Sequence, residues 1–361
     1  MKNFIIFSFS LLLVSCAEKP VFFKKINFEV VPALSSLNDS EFKNKFTKNC
    51  TQIPKRLKNS HDPIFSTSSK WQSLCEKSQT QTNFKNFIIS HFDVYEVISS
   101  KEGLFTGYYA PFFEGSLEKT DEYKYPVRQK PTDIYTLKMK SMDDENEDIS
   151  YIVRVNEKTK TIERYFERKD IQKSDAKPIV WLKSAVDVFF LQIQGSGFIK
   201  LNNSDVLHVA YAGSNGHAYR AIGRDLIQRG YLKKEDVTME SIRSFLENNP
   251  QKMSEIFNLN PRYIFFGQGD GFVKGSLNVP LTPESSLAVD PNFIPLGLPV
   301  FVETSRTYDQ KELQKWMFAE DTGAAIKGGL RGDIYFGQGE QAGKYAGAQN
   351  ASGKMYVIVP K

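Results

Sequence analysis

The stretch EDTGAAIKGGLRGDIYFG, residues 320–337, places two aspartates at the ends of a run that contains four glycines. The preceding KWMFA and the enclosed DIYFG have the composition of short strands, so the glycines predict a tight loop between two strands. Asp321 begins this loop and Asp333 ends it. An aspartate beside glycine commonly caps its own backbone in a turn, and the alternative is a carboxylate that takes part in chemistry. The stretch therefore predicts a β-rich region and leaves the role of its aspartates open.

The C-terminal region around this stretch repeats the same pattern. From Arg262 onward, glycine- and proline-rich turns separate short apolar segments, which are RYIFF, SLAVD, PVFVET, KWMFA, DIYFG and KMYVIVP. Short strands at this spacing are typical of a small barrel or sandwich. We expect no helix longer than a turn or two in this region. The predicted fold class is mainly β, with helices supplied by the earlier part of the chain.

The upstream segments show both helical and extended patterns. Apolar spacing predicts helices near 41–48, 70–77, 83–91, 214–230 and 238–250. Thr238 is placed to cap the last of these, and Gly230 follows the end of the one before it. Strands are predicted over 26–31 and over FDVYEVIS, residues 92–99.

Two further segments of the middle region are predicted to be extended. WLKSAVDVFFLQIQGSGFIKL, residues 181–201, contains an apolar run followed by Gly-Ser-Gly, which predicts a buried strand that turns into a hairpin. The charged region 117–180 predicts solvated loops and edge strands.

Composition limits the classes of function. The chain has 361 residues, of which 25% are charged and 40% hydrophobic, as expected for a globular protein. A net charge of +5 is too small to argue for nucleic acid as a partner. The chain has four histidines and no CxxC or HExxH motif, so we expect no metal site. The glycine-rich stretches 267–271 and 337–343 are not expected to open a long helix in a βαβ unit, and we predict no cofactor.

The N-terminus predicts export. Residues 1–15 have a positive start at Lys2 and a short apolar core, which are the features of a signal peptide. The segment ends in Leu-Val-Ser before Cys16, as in bacterial lipoproteins whose cysteine is acylated. An ordinary secretory signal is the alternative. With Ala17 after the cysteine, we expect a lipid anchor on the periplasmic face of the outer membrane.

Cys50 and Cys75 are the other two cysteines. An oxidising periplasm favours a disulfide between them, and two buried free thiols are the alternative.

Three aspartates of the C-terminal region lie at the ends of predicted strands. Asp290 lies in LAVDPNFIPLG, and the other two are Asp321 and Asp333. Each alone is expected to cap a turn, whereas three at one rim of a barrel would form a carboxylate site. Ser196 is a weak candidate nucleophile because its QGSG motif precedes a predicted strand rather than a helix.

These motifs resemble the membrane-bound lytic murein transglycosylase A family. Its three-aspartate, double-psi β-barrel domain is matched by VDPNFIPLG (289–297), DTGAAIKG (321–328) and RGDIYFGQGEQAGKYAG (331–347). Its inserted domain is matched by LFTGYYAP (104–111), FFLQIQGSG (189–197) and YAGSNGHAYRAIGRDLI (211–227), and KWQSLC (70–75) also fits. The resemblance covers nearly the whole chain after the signal peptide.

The resemblance implies two domains with a groove between them. Residues 16–106 would be the N-terminal part of the barrel domain with helices, and 107–260 the inserted β-rich domain that forms one wall of the groove. Residues 261–361 would complete the barrel. Peptidoglycan would lie in the groove, and the other expected partner is membrane lipid at Cys16.

The resemblance also implies the reaction. Members of this family cleave the β-1,4 bond between N-acetylmuramic acid and N-acetylglucosamine without water, because the muramic acid 6-hydroxyl attacks and leaves a 1,6-anhydro ring. Asp333 matches the catalytic aspartate, which would act as acid and then as base. We expect desolvation or a nearby like charge to raise its pKa, with Asp321 as the neighbour. Asp290 is expected to be structural.

The resemblance extends to residues expected to bind substrate. Gln192, Gln194 and Ser196 alternate along the predicted strand and would share one face. For Tyr108, Tyr109, Lys327 and Arg331, the alternative is an ordinary role in core packing or at the solvated surface. The full predicted set is Thr106, Tyr108, Tyr109, Gln192, Gln194, Gly195, Ser196, Lys327 and Arg331.

Two other classes of function compete with this hypothesis. A non-catalytic, expansin-like peptidoglycan-binding lipoprotein would use a similar barrel and a similarly placed aspartate. A purely structural outer-membrane lipoprotein would need none of the aspartates. The motifs of the inserted domain argue against a bare expansin-like barrel.

Overall fold

The computed structural model describes residues 21–32, 34–57, 63–65, 68–140 and 148–361, so the predicted signal peptide and Cys16 lie outside the described residues. The strands are β1 Phe22–Ile26, β2 Phe92–Ile98, β3 Gly103–Ala110, β4 Phe112–Ser116, β5 Tyr125–Arg128, β6 Tyr135–Lys140, β7 Asp148–Asn156, β8 Thr161–Arg164, β9 Pro178–Leu182, β10 Ser196–Leu201, β11 Val206–Ser214, β12 Ile264–Gln268, β13 Ser286–Ala288, β14 Pro299–Arg306, β15 Lys311–Asp321, β16 Arg331–Gln338 and β17 Asn350–Pro360. The α-helices are α1 Ser40–Cys50, α2 Ile53–Leu57, α3 Ser68–Ser78, α4 Phe84–His91, α5 Ala185–Gln194, α6 Ile222–Gln228, α7 Met239–Asn248, α8 Met253–Asn258 and α9 Gly339–Ala348.

The C-terminal strands close into a barrel of six strands in the order β17-β14-β15-β13-β16-β3. Closure depends on the length of β17, because its first residues pair with β3 and its middle residues pair with β14. The end of β17 continues past the barrel and pairs with β2, which in turn pairs with β1. A closed sheet has no exposed edges, which favours a single register. The predicted fold class, mainly β with a barrel and a second β-rich unit, is confirmed.

Helices α1, α3 and α4 cover the barrel with an aromatic core. Phe42 of α1 contacts Trp316 and Phe318 of β15 at ring-centroid distances of 5.8 and 5.3 Å. Phe46, one helical turn further along α1, contacts Trp71 of α3 at 6.2 Å. Cys50 of α1 forms a disulfide with Cys75 of α3. Aromatic contacts therefore hold α1 against the barrel, and a covalent bond joins α1 to α3.

A six-stranded sheet lies beside the barrel, and a smaller third sheet is also present. Its six strands run in the order β12-β11-β10-β4-β9-β5, and its core contains Val180, Ile199 and Phe266. Strands β6, β7 and β8 form a separate three-stranded antiparallel sheet. Because β12 pairs with β11, the RYIFF segment belongs to the six-stranded sheet and not to the barrel.

Most helices predicted from apolar spacing are present. Helices α1, α3, α4 and α7 lie where the sequence predicts them, and Thr238 caps α7 through a reciprocal bond with Ser241. Strand β2 is also confirmed. The helix predicted over 214–230 is shorter, since only Ile222–Gln228 is helical. The first strand is Phe22–Ile26, whereas the prediction of 26–31 was wrong because Phe28–Val30 forms a 3-10 turn.

The strand predicted within 181–201 is a helix. Helix α5 begins after Ser184, whose side chain accepts a hydrogen bond from the Val186 amide, and ends at Gly195 with φ +80°. Val186, Phe189 and Phe190 pack against residues of α6, α7 and α8. A fully apolar run does not distinguish a buried helix from a buried strand, and this helix is apolar on several sides.

The C-terminal region also contains a helix that the sequence prediction excluded. Helix α9 follows β16 directly and is opened by the glycine-rich stretch 337–343. Its buried Ala342 and Ala346 are four residues apart and join the barrel core. Small residues and glycines gave no strong apolar period, which is why the helix was missed. The strands on either side of α9 flank β3 and run antiparallel to one another, so this is not a dinucleotide-binding βαβ unit.

Candidate active site

Strand register brings the two aspartates of the loop onto neighbouring strands. In the short strand β13, Ala288 pairs with Asp321 of β15 on one side and with Asp333 of β16 on the other. On the far side of β16, Asp333 pairs with Thr106 of β3. Strands in a sheet are spaced by about 4.8 Å, so the two aspartates are two strand spacings apart. The row Asp321–Ala288–Asp333–Thr106 crosses the barrel at one level.

Asp333 is a carboxylate in a desolvated position. The Thr106 hydroxyl donates a hydrogen bond to its Oδ1 at 2.5 Å. Burial raises the pKa of Asp333 to about 6, and the nearby Arg331 and the Thr106 hydrogen bond oppose that rise. The charge of Asp321 adds to the rise with a smaller effect. Desolvation is thus the main cause, and the like charge is secondary.

Asp321 is held by more donors. Its Oδ1 accepts hydrogen bonds from the Ser276 amide at 2.9 Å, the Ser276 hydroxyl at 3.0 Å and the Thr322 amide at 2.8 Å. Its Oδ2 accepts one from the Tyr108 hydroxyl at 2.9 Å. Burial raises the pKa of Asp321, whereas these hydrogen bonds act to lower it. Four donors favour the ionised form and fix its orientation.

Tyr108 links the Asp321 carboxylate to an aromatic wall. Its ring lies 5.3 Å from that of Tyr335 of β16, the residue with which it pairs across the strands. Burial, followed by the charge of Asp321, raises the pKa of the Tyr108 hydroxyl, so it remains a neutral donor. Tyr109, the next residue, donates its backbone amide to Gln194 at 3.1 Å. Strand β3 therefore connects the barrel to α5.

A cavity of about 830 Å³ lies between the barrel and the six-stranded sheet and contains both aspartates. Its barrel side includes Thr106, Tyr108, Asp321, Arg331 and Asp333. Its other side is supplied by α5, β10, β11, β12 and the 268–281 segment, and two exposed aromatic residues, Tyr211 and Phe272, stand at it. A concave site with exposed rings and hydrogen-bonding groups suits a carbohydrate polymer.

The predicted substrate-binding residues of the middle region line this cavity, but they lie on other elements than the sequence predicted. Gln192 and Gln194 line it from α5 and Ser196 from β10, so they do not share one face of a strand. Gln192 Oε1 accepts a hydrogen bond from Arg168 Nη1 at 2.5 Å. Gly195, which ends α5, also lines the cavity.

Ser196 lies in a hydrogen-bond chain that argues against its use as a nucleophile. The Gly271 amide donates to Nδ1 of His208 at 3.2 Å, so the proton of a neutral imidazole is on Nε2. That Nε2 is 3.0 Å from Ser196 Oγ, and the hydroxyl in turn donates to the Val209 carbonyl at 3.2 Å. Burial lowers the pKa of His208, which favours the neutral ring. His208 therefore donates to Ser196 and ties the 269–272 segment to β11.

Three predicted residues occupy different environments. Arg331 lines the cavity, and its Nη2 donates to Thr106 Oγ1 at 2.7 Å. Lys327 is exposed and is not among the residues that line the cavity. Asp290 is buried and accepts hydrogen bonds from the Gly328 amide at 2.9 Å and the Asn292 amide at 3.2 Å. Asp290 thus holds the turn of the 321–333 loop.

Several residues of the site were absent from the sequence prediction. Ser276 supplies two of the donors to Asp321, and Tyr335 and Tyr219 add aromatic surface to the cavity. Arg168 is a cavity-lining cation whose other nitrogens donate to the backbone carbonyls of Asn260 and Arg262. Ser276 and Arg168 carry no local signal, since a serine in a turn and an arginine in a charged region are common. The DIYFG strand alone could have indicated Tyr335, as it lies two residues after Asp333 and on the same face.

Comparison with known proteins shows which family this architecture is typical of. The MltA specific insert domain matches residues 104–267, and the 3D domain matches residues 285–359. The chain is 34% identical to the membrane-bound lytic murein transglycosylase A of Escherichia coli K12 over 263 residues, which is 70% of this chain and 65% of that protein. A homologue from Buchnera aphidicola is 29% identical over 309 residues, covering 82% of this chain and 76% of the relative. The match thus spans just under two thirds of the Escherichia coli relative and about three quarters of the Buchnera one.

Solved structures show the same fold. A membrane-bound lytic murein transglycosylase from Agrobacterium tumefaciens matches with a TM-score of 0.79 at 27% identity, covering 94% of this chain and 97% of the other. Escherichia coli MltA with bound chitohexaose matches with a TM-score of 0.62 at 26% identity, covering 95% and 92% of the two chains. With both domain types in the same order and a shared overall structure, the chain belongs to the membrane-bound lytic murein transglycosylase A family.

Proposed function

We propose that the chain is a lytic transglycosylase that cleaves the β-1,4 bond between N-acetylmuramic acid and N-acetylglucosamine in peptidoglycan. The observation that carries the proposal is Asp333, a desolvated carboxyl in the cavity whose pKa is raised to about 6. At pH 7 about a tenth of such groups are protonated, compared with about a thousandth of ordinary aspartates. Asp333 is therefore able to act as a general acid near neutrality.

One carboxyl is sufficient for a reaction with an internal nucleophile. Hydrolytic glycosidases generally use two, because one protonates the leaving oxygen and the other attacks or activates water. In the proposed reaction, Asp333 gives its proton to the glycosidic oxygen as the bond from C1 to that oxygen breaks. The muramic acid 6-hydroxyl oxygen then bonds to C1, and its proton passes to the Asp333 carboxylate. The products are a 1,6-anhydromuramic acid end and a regenerated acid.

The neighbours of Asp333 have supporting roles in this proposal. Asp321, whose carboxyl accepts four hydrogen bonds, helps to keep the Asp333 pKa high, and in its ionised form it places negative charge near the cationic transition state. Thr106 orients the Asp333 carboxyl, and Arg331 in turn positions Thr106. The rings of Tyr108 and Tyr335 form a surface on which a sugar can stack. Gln192, Gln194 and Ser196 contribute polar groups to the opposite wall.

We also propose a location in the cell envelope. Several relatives are named membrane-bound, and residues 1–15 have the features expected of a lipoprotein signal peptide that is followed by Cys16. Among the described residues, no helix has the length and apolar character needed to cross a membrane. An acylated Cys16 would tether the protein beside its polymeric substrate at the periplasmic face of the outer membrane.

The Asp333→Asn variant tests the assignment of the acid. Purified wild type should release soluble muropeptides from isolated peptidoglycan, and Asp333→Asn should lower the initial rate by at least about 100-fold because an amide cannot transfer the proton. Asp236→Asn, at an exposed site that does not line the cavity, is the matched control and should keep the wild-type rate. A folded Asp333→Asn protein with wild-type activity would refute the assignment.

A further inference from the structure

A second cavity of about 250 Å³ lies where the three-stranded sheet meets the turn that follows β11. Strands β7 and β8 supply one side and the segment 214–217 supplies the other, with Arg262 between them. The lining residues are Ser150, Tyr151, Ile152, Arg164, Ser214, Asn215, Gly216, His217 and Arg262. None of these residues has a role in the active site described above except Arg262, which also lines the larger cavity.

The turn that forms one side of this pocket is firmly built. Asn215 is 1% exposed, and its amide nitrogen donates to the carbonyls of Phe166 and Pro261, both at 2.8 Å. Its Oδ1 accepts from the Tyr263 amide at 2.8 Å. Gly216 has a φ of +75°, and a Cβ there would lie 2.5 Å from the Ile152 side chain. The pocket is therefore preformed by a fixed turn that lies against β7.

The charged groups of the pocket are cations. Arg164 is exposed and forms no ion pair within the part of the chain that the structure describes, and its neighbour Glu163 is engaged by Arg154 and Asn156. Arg262 donates Nη1 to the His217 carbonyl at 3.1 Å and has no carboxylate partner among the described residues. The lining residues include no aspartate or glutamate. Two guanidinium groups at a small pocket form a site for a carboxylate.

Other groups at the pocket add donors and positive charge. Nε2 of His217 is 2.7 Å from the Tyr165 carbonyl, so it carries a proton that it donates there. The Ser150 and Ser214 hydroxyls line the same space. The stem of Lys130, an exposed residue, lies beside Gly213, which directly precedes Ser214. A small anionic group in this pocket would lie near two arginines, with Ser150 and Ser214 beside it.

We propose that this pocket binds a carboxylate of the peptide stem carried by the glycan strand, and so selects peptide-bearing over denuded peptidoglycan. Because Arg262 lines both cavities, the pocket is continuous with the wall of the glycan groove. The muramic acid residues of peptidoglycan carry short peptides with free carboxylates, which project from the glycan. The inference rests on the proposed function for the identity of the substrate, whereas the anion site itself rests on the two arginines.

Equilibrium binding to immobilised strands tests the pocket directly. The probes are peptide-bearing glycan strands and the same strands after the stems have been removed by an amidase, and the protein is the full chain with Asp333→Asn so that the strands are not consumed. The central variant is Arg164→Gln, since Arg164 lines only the smaller pocket. It should lower the ratio of affinities, peptide-bearing to denuded, by about tenfold, the scale of one lost charge-assisted hydrogen bond.

Controls separate the possible outcomes. Lys158→Gln removes the same charge from the β7–β8 turn outside the pocket and should keep the parent ratio. Arg262→Gln should lower the affinity for both kinds of strand, because it lines both cavities. An unchanged ratio in a folded Arg164→Gln protein, or an equal loss of affinity for both strands, would overturn the proposal. Failure of the wild-type enzyme to form anhydro products would instead refute the catalytic function, and the binding ratio would still decide the role of the pocket.

Discussion

At the scale of single residues, the central feature is a carboxyl whose environment prepares it to hold a proton. Burial raises the pKa of Asp333, Thr106 and Arg331 lower it, and Asp321 raises it again. The net result is a pKa of about 6. Each neighbour therefore either raises or lowers the Asp333 pKa. Substitutions of Asp321 and of Thr106 should shift the pH dependence of the reaction in opposite directions.

Asp321→Asn should move the pH profile to lower pH. The proposed reaction needs protonated Asp333, so kcat/KM is expected to fall as the pH rises through about 6, the pKa of Asp333. Removing the Asp321 charge takes away one cause of the raised pKa, and the alkaline limb should shift toward acid. Rates of muropeptide release between pH 4 and 8 measure this. Asp270→Asn, which removes a cavity carboxylate that does not act on Asp333, should leave the midpoint in place. A shift to higher pH in Asp321→Asn would contradict the assigned role.

Thr106→Val should have the opposite effect on the same profile. The Thr106 hydrogen bond favours the ionised carboxylate, so its loss should raise the Asp333 pKa and move the alkaline limb upward by about one unit. The measurement is the same rate series, with Thr106→Ser as the control that keeps a hydroxyl. If Thr106→Val shifted the limb downward, the hydrogen bond would not have the role assigned here.

At the scale of elements, a buried ionic cluster joins α1 to the strand that carries Asp321. Glu320 is 1% exposed and accepts from Lys45 Nζ at 2.8 Å and Asn49 Nδ2 at 2.6 Å. Lys45 also donates to Ser286 of β13 at 2.9 Å. The cluster therefore joins α1 to β13 and β15, and the contact between the rings of Phe42 and Phe318 adds to the same junction.

Breaking this cluster should cost stability. Glu320→Gln leaves the Lys45 ammonium buried without its counter-ion, which should lower the free energy of unfolding by about 3 kcal/mol. Burial already lowers the pKa of Lys45, and Glu320 opposes that effect. Denaturant unfolding at pH 7 gives the value. The double variant Lys45→Met with Glu320→Leu removes both charges and should recover most of the loss. A cost near zero for the single variant would show that the pair is not needed.

The elements also show which parts of the fold apolar spacing predicts and which it does not. Strands of the barrel and helices α1, α3, α4 and α7 follow from apolar spacing because each has one buried face. Helix α5 does not, since it is surrounded by apolar neighbours and its period is hidden. Helix α9 does not follow from apolar spacing either, because its alanines and glycines give little hydrophobic contrast between its faces. The residues of the site that were missed, such as Ser276, reach Asp321 through loops whose paths depend on the assembled barrel.

At the scale of the whole molecule, the site exists only because two sheets meet. The barrel supplies the row of Asp321, Asp333 and Thr106, and the six-stranded sheet with α5 supplies the opposite wall. The motif resemblance indicated Asp333 and left two causes open for its raised pKa, desolvation or a nearby like charge, and the structure makes desolvation the larger one. Asp333 is desolvated in the assembled fold, where it lies in a cavity lined by residues that are far apart in the chain. The barrel and the insert therefore act as one enzyme in the proposed mechanism.

The most direct test of the central claim follows the oxygen that attacks C1. Peptidoglycan is digested by the wild-type protein in ¹⁸O-labelled water, and the soluble muropeptides are weighed by mass spectrometry. If the muramic acid 6-hydroxyl attacks and Asp333 alone handles the proton, the products carry 1,6-anhydro ends, are lighter by one water than hydrolysis products and contain no label. Products with one labelled oxygen at the new end would show that water attacks, and the account of a single aspartate with an internal nucleophile would be wrong.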